Sequence, residues 1–196
     1  NGDSAIDQYI AAVSKANKEF GNDDRRTVII HAQTAREDQL DSFVTEKMWP
    51  SFFPMHTFYW GDFHVNSVLG KERAYKISPT NTALKKGLKF TSHHDAPVAL
   101  PSSIRVLSAT VTRSSRSGQI IGPDERINPY EALKALTDWA AYQHFEEKTK
   151  GTIETGKVAD FVILDKNPLK IDPMELQNLE VLETIKGGES IYSLKQ

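Results

Sequence analysis

Cysteine is absent from the 196 residues of this chain, and its charges nearly balance, with a formal net charge of -2. The lack of cysteine excludes disulfides, thiolate nucleophiles and cysteine-ligated zinc. Six histidines and 26 acidic residues remain as possible metal ligands. Without a basic run, the chain has no electrostatic footprint for nucleic acid. It also has no apolar run long enough to span a bilayer. We therefore expect a small-molecule substrate and neither nucleic acid nor a membrane as partner; the compartment, cytoplasmic or periplasmic, stays open.

The first 150 residues alternate between helical and strand-like patterns. Helices are predicted at about 3–21, 36–47, 79–86, 102–112 and 129–145, from apolar spacing and from capping residues. Strands are predicted at 27–31, 50–56 and 88–92, and the first of these is apolar and β-branched, as is typical of a strand buried on both faces. This alternation predicts an α/β fold with parallel strands, either an open doubly wound sheet or a (β/α)8 TIM barrel.

The pattern changes at residue 151. Three short strands are predicted at 159–164, 181–185 and 190–192, joined by turn sequences that include Asn167-Pro168 and Gly187-Gly188. Three strands make a poor independent core, so we expect this unit to pair with another part of the protein. The predicted division is therefore 1–150 and 151–196.

Histidines and one aspartate stand at the predicted ends of the first three strands. A barrel of about 250 residues spends roughly 31 residues on each strand and helix, and His31 and Asp95 lie 95 − 31 = 64 residues apart, or about two such units. His56 ends the strand between them, and His93 and His94 precede Asp95. Because barrel strands end at one mouth, we expect these side chains to face a common site. Three strands are under half of a barrel, so the chain is expected to be the C-terminal part of a longer protein.

Six segments, in their order and spacing, resemble the amidohydrolase superfamily. The resemblance is to the branch of metal-dependent hydrolases that includes N-substituted formamide deformylases and the so-called exoenzyme regulatory proteins. The segments are NGDSAID at 1–7, VIIHAQ at 28–33, HTFYWGD at 56–62, SHHDAPV at 92–98, PYEAL at 129–133 and GTIETGKVAD at 151–160. This resemblance implies a TIM barrel, of which 1–150 would supply strands six to eight, and a small β-sandwich built from both chain ends, of which 151–196 would supply the last strands.

The resemblance also implies one or two divalent metal ions, of which zinc is the expected kind. By match, His31 is the sixth-strand metal ligand, and Asp95 is both the eighth-strand ligand and the catalytic group that takes a proton from a metal-activated water. A fifth-strand histidine, a His-x-His pair and a middle-strand ligand are expected upstream of Asn1. With two ligands alone, the chain is expected to bind metal weakly or not at all and to be inactive by itself.

Other candidate residues are open to two interpretations each. His56, Tyr59 and Trp60 are predicted to contact substrate or to line its pocket, although such aromatic runs are more often core. At most one of His93 and His94 should face the mouth, with an outer-shell or substrate-binding role. His64 and His144 are predicted at the surface. Arg113, just before the run 114–118, and Arg116, within it, could bind a phosphate, but an exposed loop is favoured.

Three functional hypotheses follow. The first is a metal-dependent hydrolase of C–N bonds in amides or formamides, whose partners would be a small amide substrate and the N-terminal part of the same protein, with a homodimer as an open alternative. The second is a non-catalytic regulatory protein with the same fold, because proteins that share a fold need not share an activity. The third is an open α/β domain that binds an unrelated small ligand.

Overall fold

The computed structural model describes residues 1–194 and has a mixed α/β architecture with two three-stranded sheets. The final residues of the predicted second unit, 195 and 196, lie outside the described residues. The helices are α1 (Asp3–Phe20), α2 (Glu37–Thr45), α3 (Met55–Phe63), α4 (Gly70–Ala74), α5 (Thr80–Lys85), α6 (Ser103–Thr112), α7 (Pro129–Leu136) and α8 (Asp138–Gln143). The strands are β1 (Thr27–His31), β2 (Met48–Phe52), β3 (Thr91–Ser92), β4 (Phe161–Leu164), β5 (Val181–Lys186) and β6 (Glu189–Ser193).

The first sheet is parallel and has the order β1-β2-β3. Its register places His31 opposite Phe52, and Phe52 opposite Ser92, so all three strands end at the same edge. Helices α1 and α2 pack Ile6, Leu40 and other apolar side chains into the core around the sheet. The α/β class with parallel strands is therefore confirmed.

The predicted strand at 50–56 is wrong in its second half. Strand β2 stops at Phe52, and helix α3 begins at Met55 directly after Pro54. Proline has no N–H for a strand ladder, but its fixed φ suits the start of a helix. His56 consequently lies in the first turn of α3 and not at a strand end. The third strand is also shorter than predicted, since only Thr91 and Ser92 pair with β2.

The predicted helix at 129–145 is two helices. Asn128 caps α7 by accepting a hydrogen bond from the Glu131 N–H, as expected for a cap three residues earlier. The helix then breaks at Thr137, whose φ of -127° and ψ of -89° are not helical, and α8 starts at the next residue. At the break, the Thr137 hydroxyl donates to the Leu133 carbonyl. Apolar periodicity continues across the break, which is why the sequence pattern does not reveal it.

The prediction of an exposed loop around 113–118 is wrong for Arg113. Its side chain is fully buried and donates to the carbonyls of Ile77, Ser78 and Ile121. Arg116, by contrast, is exposed. Residues 114–120 form a short hairpin closed by an antiparallel bridge between Ser114 and Ile120. This hairpin packs on α3, and there Ile121 lies against Gly61 so closely that a Cβ on Gly61 would be 2.7 Å from Ile121 Cγ1.

The second sheet is antiparallel and has the order β4-β5-β6. It follows the change of pattern at residue 151, and a 3-10 turn at Pro173–Asn178 lies between β4 and β5. That turn packs against α6 and buries Leu176 in the main core. Much of the sheet's own apolar surface remains exposed, as at Val162, Ile191 and Tyr192. None of the helices in residues 1–194 is long and apolar enough to cross a membrane.

Candidate metal centre

The shared edge of the parallel sheet gathers His31, His93 and Asp95. His31 ends β1, and His93 continues β3 by donating its backbone N–H to the Phe52 carbonyl at 3.0 Å. The backbone then turns sharply, with φ of +69° at His31 and +52° at Asp95. Left-handed backbone at residues other than glycine costs energy and concentrates at functional sites. The geometric expectation of a common rim for positions 31 and 95 is met.

One ring nitrogen of His31 is hydrogen-bonded, and the other has no hydrogen-bond partner in residues 1–194. Its Nδ1 lies 2.6 Å from the side-chain oxygen of Asn1, and an amide oxygen accepts, so Nδ1 carries the proton. Its Nε2 lies 3.3 Å from Asp95 Oδ2. That contact lacks the alignment of a hydrogen bond, and Nε2 is buried without another partner in residues 1–194. The Nε2 of His31 therefore faces the carboxylate of Asp95 without being hydrogen-bonded to it.

His93 stacks on His31, with ring centroids 5.1 Å apart and planes 19° from parallel. One ligand atom each from His31, His93 and Asp95 lie within 4.8 Å of one another. Burial lowers the pKa of His93 to about 4, and the neighbouring His31 adds to the shift, while Asp95 and the Ser51 backbone oppose it. Around neutral pH His93 is thus an uncharged imidazole.

His94 does not join this cluster. Its Nδ1 accepts a hydrogen bond from the backbone N–H of Ala96 at 3.3 Å, within its own turn. Successive residues of an extended chain face opposite sides, so His94 faces away from the side that His93 faces, and the turn at Asp95 brings its carboxylate to His31 and His93. At most one of the two histidines was expected to face the site, and His93 is the one.

His56 borders the cluster from helix α3. Its side chain is 9% exposed, and its ring lies 5.5 Å from His31 and 4.6 Å from Phe53. Burial lowers its pKa to about 3, and the neighbouring histidines His31, His64 and His93 add to the shift. Its Nδ1 is buried and lacks a protein partner among the described residues. The ring can therefore donate or accept one further hydrogen bond from a small molecule.

Trp60 and Tyr59 extend this wall. The Trp60 ring lies 6.0 Å from His56 and 6.2 Å from Phe53, one helical turn along α3. Tyr59 packs beside it at 5.4 Å and belongs to a small cluster around Phe53, Met55 and Val106. The Trp60 ring therefore lies next to the histidines, and Tyr59 lies further from them, against the small apolar cluster of Phe53, Met55 and Val106.

Sequence reasoning missed His64 and Gln33. His64 was expected at the surface, but it is half-buried in a π-helical turn after α3, and burial lowers its pKa. Its Nε2 lies 3.0 Å from the Gln33 amide nitrogen, and its ring lies 6.3 Å from that of His56. A single π turn inside a helix has no sequence signal, although such turns are frequent at functional sites. His144 is exposed, as predicted.

A separate cavity of about 490 Å³ lies beside this centre. Its lining includes Gly2, Thr34, Arg36, Arg73 and Glu125, but not His31, His93 or Asp95. The chemistry-bearing side chains therefore sit at the sheet edge and not in this cavity.

The model of the amidohydrolase family matches residues 1–192. The chain belongs to the amidohydrolase family. It is similar to the putative amidohydrolase YtcJ of Bacillus subtilis (strain 168), with 29% identity over 195 residues, which are 97% of this chain and 36% of that protein. It is also 29% identical over 140 residues to the N-substituted formamide deformylase of Arthrobacter pascens, covering 71% of this chain and 26% of the relative.

The fold is similar to that of an uncharacterized metal-dependent hydrolase from Pyrococcus furiosus. The TM-score is 0.69 at 29% sequence identity, and the match covers 86% of this chain and 33% of that structure. The chain therefore spans about a third of the proteins it matches. The resemblance to the amidohydrolase superfamily seen in the sequence is confirmed.

Proposed function

We propose that these residues form part of a metal-dependent hydrolase that cleaves C–N bonds in amides or formamides, with Asp95 as the proton-transferring group. The observation that carries the proposal is the 3.3 Å approach of His31 Nε2 to Asp95 Oδ2 at the sheet edge. Membership of the amidohydrolase family supports it. So does the similarity to the relative from Arthrobacter pascens, which is an N-substituted formamide deformylase.

The residues present fit a divalent ion. Bonds of about 2.0–2.2 Å at tetrahedral angles separate two ligand atoms by roughly 3.3–3.6 Å, and His31 Nε2 and Asp95 Oδ2 are 3.3 Å apart. A zinc-ligating histidine requires one free ring nitrogen and an acceptor at the other. His31 has both, because its buried Nε2 has no partner in residues 1–194 and the Asn1 oxygen lies at Nδ1. A nitrogen and oxygen donor set suits zinc among the divalent ions.

A bound divalent ion would supply Lewis-acid polarisation of the substrate carbonyl and a lowered pKa for a nearby water. Asp95 takes a proton from the attacking water as its oxygen bonds to the carbonyl carbon. Asp95 then returns that proton to the nitrogen as the C–N bond breaks, which leaves an acid and an amine. His56 offers its free ring nitrogen to a substrate polar atom, and Trp60 and Tyr59 bound the side of the pocket toward α3.

In this proposal β1, β2 and β3 are the last three strands of a (β/α)8 barrel, in the unit 1–150. The parallel order, the helices between strands and the common edge for functional residues support this assignment. The antiparallel sheet in 151–196 would belong to a small β-sandwich, which agrees with its exposed apolar side chains. The N-terminal part of the same protein would complete both the barrel and the β-sandwich. The small amide substrate would bind at the mouth of the completed barrel.

The test is amine release from N-acyl and N-formyl substrates by the complete hydrolase that carries this chain. We expect turnover that a chelator removes and added zinc restores, and Asp95→Asn should lower kcat by more than about 1000-fold. Asp124→Asn is the matched control, because this aspartate is exposed and away from the centre. A folded, metal-loaded protein that hydrolyses no such substrate would contradict the proposal and favour a regulatory role.

A further inference from the structure

We propose that His93 is a third protein ligand of the same ion, so that His31, His93 and Asp95 form a two-histidine, one-carboxylate site contained within this chain. The inference rests on the metal centre of the proposed function. It goes further in one respect, because it raises the number of ligands within these 196 residues from two to three. Three ligands with an open position are the usual set of a catalytic zinc site.

The first support is the hydrogen bonding of the His93 ring. Its Nε2 is buried and has no partner in the part of the chain that the structure describes. His31 also has a free Nε2, and its Nδ1 is held by Asn1. Metal-ligating histidines characteristically donate their other ring N–H to such an oxygen.

The second support is position. The ligand atoms of His31, His93 and Asp95 lie within 4.8 Å of one another, so about 1 Å of side-chain movement would bring them to tetrahedral spacing. The backbone of His93 is fixed by its hydrogen bond to Phe52, and the ring is stacked on both His31 and Phe53. Little conformational entropy would be lost on binding an ion, because these rings are already ordered.

The neighbouring histidines do not share these properties. The Nδ1 of His94 is occupied by the Ala96 N–H in its own turn. His56 has a free nitrogen, but it is Nδ1, and His56 is not in the three-residue cluster. A histidine that served only as core packing would have its polar atoms satisfied, as buried polar groups are in most structures. The buried Nε2 of His93 has no such partner in residues 1–194, and this points to a ligand.

The experiment is zinc titration of the 196-residue chain by calorimetry, with the variants His31→Phe, His93→Phe and His94→Phe. Phenylalanine keeps the ring stacking and removes the donor nitrogens. We expect an equimolar complex for the original chain and for His94→Phe. His93→Phe should bind zinc more than about 100-fold more weakly, since loss of an outer hydrogen-bond partner alone costs about 10–100-fold. X-ray absorption at the zinc edge should count two imidazoles in the original chain and one in His93→Phe.

The outcomes separate this inference from the proposed function. If His93→Phe binds zinc like the original chain while His31→Phe does not, His93 is not a ligand, and the proposed metal centre stands. If neither variant changes binding, the metal centre itself is wrong. If His93→Phe does not fold, long-range proton–nitrogen NMR of the original chain decides: a zinc-dependent shift of His93 Nε2 supports the inference, and an unchanged Nε2 resonance overturns it.

Discussion

The side-chain oxygen of Asn1 lies 2.6 Å from Nδ1 of His31, and this contact sets which ring nitrogen of His31 is free. An acceptor on Nδ1 keeps the proton there and leaves the Nε2 lone pair for an ion. Asn1→Ala should therefore weaken zinc binding by about 10–100-fold. Asn1→Asp, which keeps an acceptor and adds a negative charge, should bind zinc at least as tightly as the original chain. Equal affinities for all three proteins in calorimetric titration would show that Asn1 does not orient His31.

Gly61 fixes the distance between α3 and the hairpin that follows α6. Gly61→Ala should destabilise the fold by about 1–3 kcal/mol, because the new Cβ would lie 2.7 Å from Ile121 Cγ1 and overpack the contact. In an Ile121→Ala background the same substitution should be neutral or stabilising, since alanine is favoured over glycine in helices by about 1 kcal/mol. Denaturant unfolding of the four proteins measures the coupling. A Gly61→Ala effect of the same sign and size in both backgrounds would exclude the proposed steric cause.

The buried Arg113 side chain donates hydrogen bonds to three backbone carbonyls that lie outside helices and strands. Arg113→Met keeps much of the side-chain volume but leaves the carbonyls of Ile77, Ser78 and Ile121 without this donor. The Ser78 carbonyl keeps the N–H of Thr80. Each of the other two buried acceptors without a partner costs about 1–3 kcal/mol, so we expect a loss of about 2 kcal/mol or more in the free energy of unfolding. Arg116→Met, at the exposed arginine of the same hairpin, should change it by less than about 0.5 kcal/mol. Similar losses for both variants would contradict this account.

The Arg26–Glu147 pair should make stability depend on acid pH. The hydrogen bond from Arg26 lowers the pKa of Glu147 to about 2 in the folded protein. A carboxyl with a lowered folded pKa contributes stability above its unfolded pKa of about 4.3 and loses it as pH falls toward 2. The difference in unfolding free energy between the original chain and Glu147→Gln should therefore be full above about pH 5 and shrink below it. Glu146→Gln, whose exposed partner is Lys150, serves as the control; a pH-independent difference for Glu147→Gln would be the contradicting result.

Some features of the site were predictable from sequence because they follow from local patterns and chain geometry. The β-branched run before His31 correctly marks a strand, although the expected burial on both faces is wrong, because Ile30 is 55% exposed. Parallel strands end at one edge, so the 64-residue separation of His31 and Asp95 was sufficient to place them together. Because successive residues of a strand face opposite sides, the sequence also predicted that His93 and His94 do not both face the site. These inferences need no knowledge of the packing around the strands.

The structures around His56, Arg113 and His64 were not predicted correctly from the sequence. His56 was placed on a strand because its aromatic neighbours favour extended structure, but Pro54 starts a helix there. Arg113 stands next to a serine-rich run typical of exposed loops, but its side chain is buried against the carbonyls of Ile77 and Ser78. The inward position of His64 depends on a π-helical turn. The burial of Arg113 thus depends on residues distant in sequence, whereas the position of His56 follows from a nearby proline.

The most direct test of the metal centre is an anomalous difference map from crystals of the chain grown with zinc and measured at the zinc edge. The account predicts one strong peak at about 2.0–2.2 Å from both His31 Nε2 and a carboxylate oxygen of Asp95. A map with no peak between these two atoms, from crystals in which zinc is bound elsewhere on the chain, would contradict it.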